Sequence, residues 1–137
     1  LPPEESESYE GLMRKAGVAN IYLVAPTTPE ARMELIVKRG AGFIYYISRE
    51  GVTGMQSQVA ANLAAQVAKI RAHTTLPIAV GFGVSNPEQA KVVAKDADGA
   101  VVGSAIVNQI AQHGKSPDCV AKVSAFVKSL GDAIKSV

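Results

Sequence analysis

The chain has 137 residues, enough for one domain of ordinary size. Its composition, 47% hydrophobic and 19% charged with a net charge of +2, is typical of a globular protein. The scattered charges form no basic stripe of the kind that binds nucleic acid, and no apolar run approaches the roughly 20 residues of a membrane span, so we expect neither partner.

Helix and strand alternate from the start of the chain. A helix is predicted over residues 6–16 and two strands over 21–25 and 43–48, the second rich in β-branched and aromatic residues. Between the strands, Thr28 is expected to cap a helix that has Pro29 at its first position. The faces expected to be apolar are Tyr9, Leu12, Met13 and Ala16 in the first helix and Met33, Ile36 and Val37 in the second.

The same alternation continues to the end. A helix over 57–72 precedes a strand over 76–80, and a capped helix begins at Asn86 with a glutamine three residues on. A strand over 99–102 leads into a short helix from Ser104, and the last helix starts near 116–118. Residues expected on the inward faces are Ala60, Leu63, Ala64, Val67 and Ile70, then Val120, Val123, Phe126, Val127, Leu130 and Ile134, with the lone Cys119 as a small buried hydrophobe.

Four continuous apolar strands, each followed by a helix, predict an α/β protein with a parallel sheet. A doubly wound sheet and a (β/α)8 barrel both fit this alternation. Three strand ends carry glycine-rich turns, at 51–54, 81–83 and 103–104, and a short extra helix follows the last. Barrels hold phosphate with such a helix after their last strands, which favours the barrel.

The glycine turns predict a phosphate site. Backbone N–H groups and the positive end of a helix dipole would meet the dianion, and the Ser104 hydroxyl would add a donor. For each glycine alone, a tight turn that requires positive φ is the simpler interpretation. Three such turns at equivalent strand ends favour phosphate binding.

One loop makes the pattern specific. The run Arg49-Glu50-Gly51-Val52-Thr53-Gly54, together with the strand ends at 81–85 and 102–107 and the opening residues 1–6, resembles the tryptophan synthase alpha chains. The resemblance covers the whole chain, in order, from the end of the family's fourth strand to its last helix. It implies a (β/α)8 TIM-barrel type of fold, with residues 1–137 as the C-terminal half of a single barrel domain.

The resemblance implies a lyase of tryptophan biosynthesis that cleaves indole-3-glycerol phosphate to indole and glyceraldehyde 3-phosphate by a retro-aldol step. It implies no cofactor in this subunit, and a beta-subunit partner that carries pyridoxal phosphate. Thr53 would order the loop over the substrate. The implied phosphate-binding residues are Gly54, Phe82, Gly83, Gly103 and Ser104, and the implied indole wall is Leu23, Tyr45, Phe82 and Val101.

The family's two catalytic carboxylates come from its first two strands, which this chain does not contain. We therefore expect no catalytic residue here and no activity from the chain alone, with a missing N-terminal half-barrel as a required partner. The acidic residues are expected on solvated surfaces, Glu50 lies in a loop, and His73 and His113 lie near helix ends. No metal-ligand spacing is present.

Two alternatives stay open: a non-catalytic phosphate-binding half-barrel, and another sugar-phosphate barrel enzyme such as an isomerase or epimerase. Four strands cannot close a barrel, so the strands at 21–25 and 99–102 should present open edges, and the chain should self-associate or be only marginally stable. A single cysteine and a start that lacks the basic and apolar regions of a signal peptide lead us to expect a cytoplasmic protein.

Overall fold

The structure, a computed structural model, describes residues 2–48, 56–81 and 83–137. Its described residues form one parallel sheet of four strands in the order β1-β2-β3-β4. The strands are β1 (Tyr22–Val24), β2 (Ile44–Ile47), β3 (Ile78–Gly81) and β4 (Gly99–Ala100). Chain order and spatial order agree, as the sequence predicts, and β1 and β4 are the two open edges.

Six α-helices and one 3-10 turn (Pro3–Glu5) surround the described part of the sheet. The helices are α1 (Glu7–Lys15), α2 (Glu30–Arg39), α3 (Gln56–Arg71), α4 (Pro87–Ala94), α5 (Ser104–His113) and α6 (Cys119–Lys135). Each predicted helix is present, and none of the described ones is long and apolar enough to cross a membrane. Each predicted strand is also present, shorter than its apolar run.

The sheet has one buried face and one partly exposed face. Alternate residues of β1 and β2 are buried, and these pack with Ile78 and Val80 of β3 against the helices. The strand residues that point to the other face of the sheet, among them Leu23 and Tyr45, are exposed or half-buried. In a closed barrel this second face would be the interior, so its exposure is the direct consequence of a sheet with only four strands.

The helix starts follow local chemistry. Asn86 caps α4 as predicted: its side chain accepts a hydrogen bond of 2.9 Å from the Gln89 amide, and Gln89 Oε1 accepts one of 2.8 Å from the Ser85 amide. The prediction for α2 is wrong. Pro29 has ψ 152° and occupies the cap position, whereas the Thr28 hydroxyl turns back to accept from the Ala25 amide at 2.9 Å. Thr28 therefore closes the turn after β1.

Two predicted apolar faces are only partly buried. In α1, Tyr9 is 44% and Leu12 is 66% exposed, and in α6, Val120 is 77% and Val127 is 43% exposed. Leu130 is the residue of the α6 stripe that is fully buried, while Phe126 and Ile134 pack partly on the core. The predicted α1 face is thus largely exposed among the described residues, whereas the α6 stripe is covered in part by α4 and α5.

Most of the other residues predicted on inward faces are buried, while the side chain of Ala60 lies outside the described part of α3. Met33 and Ile36 of α2 and Leu63, Val67 and Ile70 of α3 are buried, and Val37 packs partly on the same core. Cys119 is half-buried at the start of α6, so it is not the buried hydrophobe that the sequence indicated.

Candidate functional site

The partly exposed face of the sheet brings together the predicted indole-wall residues of neighbouring strands. Leu23 of β1 lies directly opposite Tyr45 of β2, and Tyr45 in turn lies opposite Ala79 of β3. Leu23 is 52% exposed and Tyr45 and Val101 are intermediate. These side chains thus provide an apolar surface that faces open space. Phe82, the other predicted wall residue, lies outside the described residues.

Gly81 makes room for the Tyr45 ring. A Cβ placed at Gly81 would lie 2.5 Å from Tyr45 Oη and 2.8 Å from its Cε2, closer than atoms can pack. The sequence indicated Gly81 as part of a turn, but the structure places it as the last residue of β3. The tyrosine therefore leans along the sheet toward its carboxyl edge, over a glycine that cannot be enlarged without moving the ring.

An open cavity lies at the carboxyl end of β1. It has a volume of about 770 Å³ and is lined by Leu23, Ile47, Arg32 and the turn at 25–29. Leu23 and Ile47 belong to the same sheet face as Tyr45, because residues two apart on a strand point to the same side. The cavity therefore extends the apolar surface to the carboxyl edge, where the Arg32 guanidinium is paired with Glu4 at 3.3 Å.

Two of the predicted phosphate-binding turns leave the sheet side by side. Val80 of β3 is paired with Ala100 of β4, and Gly83 and Gly103 each follow three residues later. Gly83 has φ +79°, a left-handed conformation that glycine adopts without strain. An added Cβ at either glycine would meet no atom within 4 Å, so the backbone there is open to approach by a ligand.

The turn at Gly103 opens α5. The Gly103 carbonyl accepts from the amides of Ile106 and Val107 at 3.0 and 3.1 Å, so Gly103 is the N-cap residue. The first amides of a helix, here those of Ser104 and Ala105, have no intrahelical acceptor and carry the positive end of the helix dipole. Ser104 is exposed, and its hydroxyl is not used as a cap. This end of α5 has the chemistry of an anion site.

The loop residues of the prediction lie outside the described residues. These are Glu50, Thr53 and Gly54, so the loop latch assigned to Thr53 and the phosphate contact assigned to Gly54 stay predictions.

Glu10 departs from the expectation of a solvated carboxylate. Glu10 is buried, and its Oε1 accepts hydrogen bonds from the Ser6 hydroxyl at 2.5 Å and from the Tyr22 hydroxyl. The same oxygen lies 3.6 Å from Arg39 Nη1. Hydrogen bonds from Ser6 and Tyr22 hold the pKa of Glu10 below its usual value, and burial raises the pKa of Tyr22. The sequence signal was the i, i+4 pair Ser6–Glu10, which places both polar groups on one helix face.

Asp98 has a structural role at the opposite edge of the sheet. Its carboxylate accepts from the Ile78 amide and from Arg71, each at 2.8 Å, and these contacts lower its pKa. Because Asp98 precedes β4, it lies at the amino edge, away from the glycine turns. His73 Nε2 lies 3.5 Å from Glu30 Oε1. Among the described residues, no cluster of side chains could hold a metal ion.

The fold and the site together define a class. Four consecutive parallel β/α units, with an apolar inner face and with glycine turns and a helix N-terminus at one carboxyl edge, form half of a (β/α)8 barrel with the layout that phosphate-binding barrels use. The model of the family "Tryptophan synthase alpha chain" matches residues 1–135. The chain therefore belongs to the tryptophan synthase alpha chain family.

Individual relatives agree. The chain is 53% identical over 131 residues to the tryptophan synthase alpha chain of Opitutus terrae, covering 95% of this chain and 49% of that protein. It is 44% identical to that of Novosphingobium aromaticivorans, covering 99% and 50%. Among solved structures, the alpha subunit from Legionella pneumophila has a TM-score of 0.85 at 34% identity, and tryptophan synthase from M. tuberculosis one of 0.81 at 26%.

The coverage has a structural consequence. The two solved structures match 100% and 98% of this chain, which covers only 50% and 48% of theirs. The chain thus spans about half the length of the relatives it matches, and the matched half has the same fold in them. The four strands and their uncovered apolar faces are those of a barrel half.

Proposed function

We propose that this chain supplies the phosphate-binding site and part of the indole pocket of a lyase of tryptophan biosynthesis. The reaction is the retro-aldol cleavage of indole-3-glycerol phosphate to indole and glyceraldehyde 3-phosphate. The observation that carries the proposal is the match to the alpha-chain family along residues 1–135, joined to a sheet register that sets Gly83 and Gly103 at one edge. The apolar face at Leu23 and Tyr45 adjoins that edge.

In this proposal the substrate lies across the carboxyl edge of the sheet. Its phosphate accepts hydrogen bonds from the backbone at Gly83, Gly103 and Ser104 and from the Ser104 hydroxyl, with Gly54 and Phe82 as further expected contacts. The indole ring packs on Leu23, Tyr45 and Val101. Because both ends of the substrate are bound, the scissile bond between them is held in a fixed position. A fixed orientation of the reacting atoms lowers the entropic part of the activation barrier.

The chemistry needs a free acid and a free base at this edge, and the Glu4 carboxylate that lies there is paired with Arg32. An acid must protonate the indole carbon, and a base must take the proton of the glycerol hydroxyl as the carbon–carbon bond breaks and the aldehyde forms. Positioned acid and base groups each contribute about 10²- to 10⁴-fold. The buried carboxylate at Glu10 and the paired one at Asp98 are committed to structural contacts. We therefore expect the chain alone to be inactive.

Activity would then require two partners. An N-terminal half-barrel would provide the catalytic carboxylates and cover the open edges at β1 and β4. A beta subunit with pyridoxal phosphate would receive the indole, and we expect this subunit itself to use no cofactor. The solved relative from M. tuberculosis is described as tryptophan synthase, which is consistent with such a partnership.

Titration with inorganic phosphate and with glycerol phosphate tests the binding part of the proposal. Ser104→Ala removes one donor of several and should weaken binding by about 1–3 kcal/mol, the value of a hydrogen bond to a charged group. Gly103→Val should weaken it further, because the side chain would fill the space in front of the helix, which is empty in the structure.

Ser136→Ala is the matched control, since Ser136 bonds to Ala133 at the far end of α6 and should leave binding unchanged. If Ser104→Ala and Gly103→Val both bound phosphate as tightly as the parent chain, the site would not lie at this edge.

A further inference from the structure

We infer that a small cavity at the amino edge of the sheet binds an inorganic dianion of the phosphate type. The cavity has a volume of about 200 Å³ and lies between the last turns of α1 and α2 and the segments that lead into β1 and β2. Its lining includes the cations Arg14, Lys38 and Arg39, together with Glu10 and Asn20. Sites for drug-sized molecules occupy about 300–1,000 Å³, so this smaller space suits an inorganic ion.

The cavity is formed by neighbouring elements of the sheet and its helices. The Asn20 carbonyl accepts a hydrogen bond of 3.0 Å from the Ala41 amide, which joins the segments before β1 and β2. This contact lies on the side of β1 that faces β2 and not on its open edge. Residues that precede parallel strands lie at the amino edge, whereas Gly83 and Gly103 follow β3 and β4 at the carboxyl edge. The cavity is therefore separate from the candidate substrate-phosphate site.

The charge around the cavity is positive and only partly balanced. Among the described residues that line it, Glu10 is the one carboxylate. Its Oε1 already accepts hydrogen bonds from two hydroxyl groups and lies 3.6 Å from Arg39 Nη1. The charges of Glu10 and Arg39 thus offset each other, and the two positive charges of Arg14 and Lys38 remain. Two remaining positive charges match the charge of a dianion.

The same side chains supply donors that the fold does not use. In the described part of the chain, the side chains of Arg14, Lys38 and Asn20 make neither a hydrogen bond nor an ion pair. A guanidinium is a planar fork of donors, an ammonium has three donors, and a side-chain amide has two. Arginine and lysine are the side chains that bind phosphate oxygens with charge-assisted hydrogen bonds. The lining therefore offers both the charge and the donors that such an ion needs.

The positive end residues of the two helices have a simpler explanation, which does not account for the cavity. Cations in the last turn of a helix interact favourably with the helix dipole, and Arg14, Lys15, Lys38 and Arg39 all occupy such positions. The dipole does not require three of these cations to surround one space, as they do here. Their mutual repulsion is a cost that a bound dianion would relieve.

A site-resolved NMR titration of the 137-residue chain tests the inference. Inorganic phosphate is added at constant ionic strength and at a pH where most of it is the dianion. The signals of the Asn20 side-chain amide and the Gly40 backbone amide should shift and saturate together, because both residues line the cavity. Acetate, a monoanion, should bind at least about fivefold more weakly, since it carries half the charge.

Substitutions separate a site from diffuse attraction of anions. Arg14→Gln and Lys38→Gln should each weaken phosphate binding at this cavity at least about fivefold, because each removes a charged donor. Lys38→Arg keeps the charge and should stay within about twofold of the parent chain. The matched control is Lys15→Gln, which removes the same charge from the same turn of α1. Lys15 does not line the cavity, and salt screens exposed charges, so binding should change by less than about twofold. Circular dichroism of each variant checks that it is folded.

The titration also distinguishes this cavity from the carboxyl edge. Gly103→Val, which the proposed function expects to weaken phosphate binding at that edge, should leave the Asn20 and Gly40 titrations unchanged. Signals that move without saturating, an equal loss in Lys15→Gln and Arg14→Gln, or acetate bound as tightly as phosphate would each overturn the inference. A failure of the proposed function would instead be seen in indole release and in the titration of the Ser104 variant.

Discussion

Replacing Gly81 with alanine tests the packing of the candidate indole wall. The new methyl group would lie 2.5 Å from Tyr45 Oη, 2.8 Å from Cε2 and 3.1 Å from Cζ, so the ring must move. Gly81 does not require a positive φ, and the backbone itself accepts alanine. The cost is therefore that of forcing a packed aromatic ring aside, about 1–3 kcal/mol of unfolding free energy.

A double-mutant cycle isolates that cost. Urea unfolding is measured for the parent chain, Gly81→Ala, Tyr45→Ala and the double variant. Without the ring, Gly81→Ala should be neutral or stabilise by about 0.4–1 kcal/mol, because alanine restricts the unfolded chain. The coupling between the two positions should thus be at least about 1 kcal/mol.

The control is Gly131→Ala in α6, where an added Cβ meets no atom within 4 Å. It should stabilise the chain by about 0.5–1 kcal/mol in either background, as alanine does inside a helix. A loss at Gly81 that is equally large with and without the Tyr45 ring would refute the reasoning, since the clash would then lie elsewhere.

Three further predictions concern stability. Gly83→Ala should cost about 1–2 kcal/mol in thermal or urea unfolding, because its φ of +79° forces a Cβ into the left-handed region; an unchanged midpoint would contradict that conformation. Asn86→Ala should cost about 0.5–2 kcal/mol through loss of the α4 cap, and Asn86→Asp should restore most of it. The pKa values of Glu10, Asp98 and Asp118 are all lowered in the folded chain. Their contribution to stability is therefore complete above the ordinary carboxyl range and lost as the pH falls through the folded values; stability that rises on acidification would oppose this sign.

Local chemistry made much of the fold predictable. The apolar runs located all four strands, and Asn86-Pro87 fixed the start of α4, because these signals act within a few residues. Thr28 shows the limit of such signals. Its hydroxyl could either cap α2 or accept a hydrogen bond within the turn after β1. The structure has the second arrangement, with Pro29 in an extended conformation at the N-cap position.

The burial of a side chain depends on which helices and strands pack together, and the sequence did not reveal that packing. The periodicity marked Leu12 and Val120 as core residues, yet both are exposed, because the surfaces that would cover them are not among the described residues. Glu10 is the converse case: a charged residue is buried because Tyr22 and Arg39 arrive from distant parts of the chain. The Gly81–Tyr45 contact also joins two strands and has no local signal.

In the candidate site too, features set by neighbouring residues could be predicted from the sequence, and contacts between distant residues could not. Glycine turns at strand ends indicated a phosphate site, and the register of β3 and β4 places Gly83 beside Gly103 as that prediction needs. Leu23 and Tyr45, which the family resemblance implied, lie opposite each other on one face. Phosphate contact itself stays a prediction, as do the roles of Thr53, Gly54 and Phe82.

The most direct test of the proposed function is an indole-release assay with indole-3-glycerol phosphate. It compares this chain, a polypeptide carrying the first four β/α units of an alpha chain, and an equimolar mixture of the two. We predict no indole from either half alone and release from the mixture, reduced when Thr53 is replaced by alanine. Indole from this chain alone would contradict the claim that it lacks the catalytic groups, and a stable mixed barrel that releases none would contradict the proposed activity.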